Sequence, residues 1–304
     1  MKRIVGITLL LLLVSTALLA AQRGQPVEQQ VIGDALMGAR IYDNWILTLD
    51  RDPPEGDHPL WSNQDFNKRS GVATWRCTAC HGWDYKGADG AYGPYSTYYT
   101  GFTGLQRTVG ATHQEVLSWL NGSQNSAHNF LVLTNASALN DLAAFLRTQQ
   151  VDMDLLIDPE TGASFGRVEQ GGELFDQTCA ECHGAYGNLI NFGTQSNPMY
   201  LGDMAVAEPW QTMHKIRFGT PTSQRMPAYE AEDWSLRMMA DVLAYSQTLP
   251  RGNPEYSVIV FDGTPTFPTE QQAQIEPIVW ASTALMGLLA INVIWDIYFK
   301  KKTE

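Results

Sequence analysis

Two short runs carry most of the chemistry open to this chain. Residues 75–87 read WRCTACHGWDYKG and residues 179–184 read CAECHG; in each, two cysteines flank two other residues and a histidine follows at once. Cys77, Cys80, Cys179 and Cys182 are all the cysteines present. Four such thiols could hold zinc, but zinc sites of this type set their pairs roughly 15 to 20 residues apart. Here His81 and His183 stand 102 positions apart. A dithiol redox centre belongs in a βαβ pattern, and no alternating strand pattern surrounds either pair. Disulfides would suit an exported chain. None of these readings explains the histidines. Covalent haem attachment does: the two thiols reach the vinyl groups on one edge of a porphyrin, and the next residue places an imidazole beneath the iron. The pattern therefore asks for two haem c groups, bonded through the four cysteines, with His81 and His183 as iron ligands.

The surroundings of the two anchors repeat. GGELFDQT runs directly into Cys179, and GARIYDNW (38–45) repeats its first half, with Ile41-Tyr42-Asp43 standing for Leu174-Phe175-Asp176. In the first copy about thirty residues rich in Pro, Asp and Asn intervene before Cys77, and these read as loop. After each anchor comes a glycine-rich stretch and then a helix. THQEVLSWLNG opens with a Thr112–Glu115 capping box, and EPWQTMHKIRFG carries Pro209 in its first turn. Gly122 and Gly219 are their stop signals. A closing helix recurs at an offset of 100: Asp141, Ala144, Phe145 and Thr148 return as Asp241, Ala244, Tyr245 and Thr248. Each copy has the size of a single domain.

This order resembles class I cytochromes c, and two such modules in tandem resemble the dihaem cytochromes c of bacterial respiratory chains. The resemblance covers roughly residues 34–250 at the level of modules. It implies an all-α fold: two tandem class I cytochrome c domains plus a C-terminal transmembrane helix. The expected divisions are a signal peptide or N-terminal anchor at 1–23, a first domain at 24–150 with its loop insertion at about 46–75, and a linker at 151–164. A second domain at 165–250, a linker at 251–274, a membrane span at 275–299 and a cytoplasmic tail at 300–304 complete the order. The C-terminal anchor is similar to that of the cytochrome c subunit of quinol:cytochrome c oxidoreductases. GWDYKGADGAYG looks like haem domains that accompany molybdenum oxidoreductases. The insertion before Cys77 departs from the family pattern.

The resemblance makes Met226, in SQRMPAY, the distal ligand of the second haem. The first module has no methionine between His81 and Met153. Its corresponding loop, NGSQNSAHNF, is three residues shorter and brings His128 within a step or two of the Met226 position. His128 is therefore the expected sixth ligand of haem 1. Its rivals are His58, which the insertion could fold over the haem, and His113, expected exposed at a helix start. His214 reads as a surface or packing residue. Tyr95, Tyr98, Tyr99 and Trp83 are expected to pack on haem edges and the domain seam. A thioether raises the potential of haem iron relative to a second imidazole, so electrons should run from haem 1 (His81/His128) to haem 2 (His183/Met226).

The ends place this work at a membrane. Lys2 and Arg3 precede an apolar run from Ile4 to about Ala21, as in an export signal. Residues 278–299 form an apolar stretch long enough for a hydrocarbon core of roughly 30 Å. Trp280, Trp295 and Tyr298 lie at its ends, and Lys300 to Lys302 follow as a cytoplasmic stop. Haem domains on the periplasmic side of a bacterial inner membrane follow from this. The net charge of −12 argues against nucleic acid and would steer a basic protein. The expected function is that of a membrane-anchored electron carrier without catalysis of its own. Its expected partners are other subunits of a respiratory membrane complex and a redox protein that donates or accepts electrons. The competing reading is a peroxidase-like dihaem enzyme, with an open or displaceable ligand position at haem 1 and a nearby acid–base group.

Overall fold

A computed structural model describes residues 32–221 and 225–252. Among them are nine α-helices joined by 3-10 turns and long coil, and extended pairing is confined to isolated bridges. The first group is α1 (Ala35–Thr48), α2 (Cys77–His81), α3 (His113–Leu120) and α4 (Ala136–Thr148). The second is α5 (Val168–Thr178), α6 (Ala180–His183), α7 (Leu201–Ala207), α8 (Pro209–Phe218) and α9 (Leu236–Ser246). The all-α expectation holds for these residues. The segments expected as signal or anchor (1–23) and as membrane span (275–299) lie outside the described residues. No described helix is long and apolar enough to cross a membrane.

Local signals set the helix ends. Asp34 caps α1 by accepting from the N–H groups of Leu36 and Met37, donors that a helix start leaves unpaired. The Thr112–Glu115 capping box forms in both directions, and Pro209 occupies the first turn of α8. Gly122 and Gly219 take left-handed φ values of 81° and 74° just past α3 and α8, where a residue with a Cβ would be strained. α7 has no counterpart in the first group and was not foreseen.

Each group is built on one tight helix crossing, α1 on α4 and α5 on α9. A Cβ at Gly38 would overlap the Asp141 carbonyl oxygen and crowd the Cβ of Phe145; a Cβ at Gly171 would do the same to Asp241 and Tyr245. Glycine is what lets the backbones approach so closely. The aspartates then hold the helix starts: the N–H of Asp34 donates to Asp141 at 2.8 Å and the N–H of Arg167 to Asp241 at 2.6 Å. Tyr42 packs on Phe145 and Phe175 on Tyr245, with ring centres 5.5 and 5.2 Å apart.

The segment expected as a loop insertion is folded coil. It contains 3-10 turns at Pro59–Asn63 and Gly71–Trp75 and buries His58, Trp61, Gln64, Asn67 and Thr74. Its buried polar groups are satisfied by nearby backbone, as buried polar groups must be: Trp61 Nε1 donates to Arg69 O, Gln64 Nε2 to Asn67 O and Asn67 Nδ2 to Tyr98 O. Trp45 Nε1 of α1 donates to Trp75 O and ties the segment to the helix frame.

Gly38→Ala and Gly171→Ala are each expected to lower unfolding free energy by about 1–3 kcal/mol through overpacking. Gly110→Ala, at a position with open space around it, should stay within about 0.5 kcal/mol. Denaturant unfolding of the three variants checks this.

Candidate functional site

The first site grows from α2. Gly82, at φ 73°, ends this helix, and its carbonyl accepts from the Tyr42 hydroxyl at 2.5 Å. The chain then turns around the buried Asp84 carboxylate, which accepts from the N–H groups of Lys86 and Ala91. A single antiparallel bridge between Gly87 and Thr103 brings the coil back beneath α2. That return places the Thr103 carbonyl 2.8 Å from His81 Nδ1. Opposite, Asn125 caps the turn Ser126–His128, and His128 Nδ1 lies 2.9 Å from the carbonyl of Trp119 on α3.

Between these walls is a cavity of about 330 Å³, lined by Cys77, Cys80, His81, His128, His58 and mostly apolar side chains such as Phe102, Leu105, Val116 and Phe130. Burial pushes both thiols up to about 12, so they stay protonated at neutral pH and available for thioether formation. Burial also lowers His81 to about 4 and lowers His128, so both imidazoles are neutral.

A neutral imidazole has one N–H and one lone pair. A carbonyl can only accept, so His81 and His128 each carry the proton on Nδ1 and keep the Nε2 lone pair for a metal. Their ring centres are 6.3 Å apart with planes at 81°. A ring bonded to a metal at about 2 Å has its centre roughly 3 Å from it, so two rings sharing one ion stand roughly 6 Å apart. The residues present therefore fit a metal-centred porphyrin held between His81 and His128.

The rivals separate on the same criterion. His58 also lines the cavity, its ring 6.1 Å from that of His128. Its Nδ1, however, accepts from the backbone N–H of Leu60, which puts its proton on Nε2 and leaves no lone pair there. His113 is half-buried rather than exposed and turns away, with Nε2 2.8 Å from Asn140 Oδ1 on α4. Counted from the glycine that ends the preceding helix, Asn129 is the residue that stands where Met226 does, seven positions after Gly122 as Met226 is after Gly219. The cavity takes the neighbouring His128.

The second site is more open. Cys179 is partly buried and Cys182 exposed at the end of α6. Gly184, at φ 82°, repeats the role of Gly82, and the N–H of Leu189 returns to His183 O as that of Gly87 does to His81 O. The His183 ring lies 6.1 Å from Phe192, and its Nδ1 is buried with no partner among the described residues. Met226 is half-buried in the turn after α8, and none of the described contacts joins its thioether to His183. The structure thus brings Cys77, Cys80, His81 and His128 together, and places Cys179, Cys182 and His183 on one turn.

Comparison with known proteins bears on this second group. Residues 166–245 match the family described as cytochrome c oxidase, cbb3-type, subunit III. This stretch, about a quarter of the chain, is a c-type cytochrome domain, which implies covalently bound haem c and electron transfer. No curated protein matches the chain.

Sequence reasoning missed how α8 meets the first group. His214 is fully buried; its Nε2–H donates to Ala39 O at 3.1 Å and its Nδ1 accepts from the Tyr85 hydroxyl at 3.0 Å. Asp43, 1% exposed, pairs with both Lys215 and Arg76. Arg217, with no exposed surface, donates to Gln149 O and pairs with Glu230. Trp83 stands beside His214, as expected of the seam, whereas Tyr95 is fully exposed. The only local hint was the basic run His214, Lys215, Arg217 on a short helix, with no acidic partner within a turn.

Burial, together with the charges of Lys215, Arg217 and Arg76, lowers the His214 pKa well below 6.5. The folded protein keeps the ring neutral while the unfolded chain takes up a proton as pH falls. This contribution to stability is therefore present above about pH 6.5 and lost below it. Urea unfolding between about pH 7 and pH 5 should show a shallower fall in stability for His214→Gln than for the unaltered protein.

Proposed function

We propose that the chain is a membrane-anchored dihaem c-type cytochrome, which takes an electron at its first site and gives it up through its second. The reading at the first site is carried by one observation: two neutral imidazoles, from opposite walls of one apolar cavity, with ring centres 6.3 Å apart and each tied through Nδ1 to a carbonyl. Haem iron bound there supplies a one-electron change without a change of ligands. The chain's own work is to hold Cys77 and Cys80 beside His81, to keep His128 opposite, and to exclude water with Phe130, Leu105 and Val116. At the second site Cys179, Cys182 and His183 take the corresponding parts, with Met226 as the distal ligand. A thioether there and a second imidazole at the first site order the potentials so that the first lies lower.

The matched family is described as a subunit of a cytochrome c oxidase, which supports a place in a larger respiratory complex. The apolar C-terminal stretch with its lysine stop supports an inner-membrane anchor, with both haem sites on the periplasmic side. The acidic surface favours a basic redox protein as donor or acceptor.

Potentiometric titration should resolve two one-electron steps. His128→Met should raise the lower one, and Met226→His should lower the upper one. Each shift should exceed the ~59 mV that corresponds to tenfold in a one-electron equilibrium. Neither site should bind carbon monoxide; binding at the first site would favour the peroxidase-like enzyme instead.

A further inference from the structure

The first cavity contains a third imidazole that cannot be a ligand. His58 is 6% exposed and fixed on every side. Phe130 stacks on it at 5.7 Å and Trp75 meets it edge-on at 4.7 Å. The His58 backbone N–H donates to Thr74 Oγ1, and the ring Nδ1 accepts from Leu60 N–H. Because Nδ1 accepts from an N–H it holds no proton, and the ring carries its one proton on Nε2. That N–H has no acceptor among the described residues.

Several polar neighbours on the cavity wall are already engaged. Arg76 pairs with Asp43, Thr108 Oγ1 donates to backbone carbonyls, and Asn125 Oδ1 accepts from Ala127 N–H. Arg107 is the exception: it stacks on Trp119 at 4.6 Å and forms no ion pair among the described residues. An apolar space with one fixed neutral donor and one uncommitted cation suits a flat apolar molecule that carries carboxylates. A buried carboxylate without a donor would be costly.

We infer that His58 is a fixed hydrogen-bond donor to a carboxylate of the porphyrin at the first site. The inference rests on the functional reading above and adds a role for the inserted segment, which otherwise has none in that reading. The donor draws charge from the carboxylate, so its loss leaves more negative charge near the iron and favours the oxidised state. His58 is a positioning residue that acts through the porphyrin side chain.

Two substitutions in the full haem-loaded chain separate this role from a purely structural one. His58→Asn keeps an acceptor near Nδ1 for Leu60 N–H but removes the Nε2 donor. His58→Gln restores an N–H near Nε2 and gives up the Leu60 contact. Redox titration should show His58→Asn lowering the first-site equilibrium constant several-fold, up to about tenfold or ~59 mV, with unfolding close to that of the unaltered protein. His58→Gln should hold the potential within about twofold, or ~18 mV, while losing stability. The second-site potential should move in neither. Equal shifts in both variants, or none in His58→Asn, would overturn the role of His58 while leaving the haem reading intact. Absence of a porphyrin on Cys77 and Cys80 in the unaltered protein would overturn both.

Discussion

A neutral imidazole offers a metal only the nitrogen that its other partner leaves unprotonated. At the first site that partner is backbone in all three cases: the carbonyls of Thr103 and Trp119 for His81 and His128, the N–H of Leu60 for His58. In the proposed reading, three histidines lining one cavity thereby become two ligands and one donor, with no charged residue needed to tell them apart. Burial reinforces the division, because it keeps all three rings neutral and so keeps each to a single proton.

The rest of the fold brings those backbone groups to their places. The Gly87–Thr103 bridge carries one carbonyl under His81, and α3 carries the other above His128. Both depend on the α1–α4 crossing, whose closeness depends on Gly38. The turn at Pro59–Asn63, capped by the His58 side chain itself, locks the third ring. The second group has the same crossing and the same turn after its cysteines, yet His183 Nδ1 has no corresponding carbonyl among the described residues. The two sites therefore share a frame and differ in what closes them. Across the seam, the buried Asp43 pairs with Arg76, the residue before Cys77, and with Lys215 of α8. A substitution in α8 can thus reach the approach to the first site.

Much of this frame was legible in the sequence. The CxxCH runs, the Thr112–Glu115 capping box, Pro209 and the two stop glycines are local signals, and local physics decides them. The offset of 100 between the closing helices identified the residues that form the two crossings. His128 was found by a missing methionine, and the structure places it in the cavity although Asn129 is the residue at the Met226 spacing from the stop glycine. What stayed hidden depends on contacts between distant segments. The tautomers of His81 and His128 are set by the carbonyls of Thr103 and Trp119, 22 and 9 positions away, which no periodicity reports. The inserted segment looked like loop because its Pro and Asn residues break helix and strand patterns, yet it folds through side-chain to backbone hydrogen bonds. The seam pairs His214 with Ala39 and Tyr85 and Lys215 with Asp43, all more than 100 positions apart and beyond the reach of any local motif.

The account stands on thioether attachment at both CxxCH runs. Proteolysis of the purified, haem-loaded protein, followed by mass spectrometry, would read this directly. The peptide bearing Cys77 and Cys80 and the peptide bearing Cys179 and Cys182 should each carry the mass of one haem. Free thiols, a disulfide within either pair, or a bound metal ion in place of the porphyrin would contradict it.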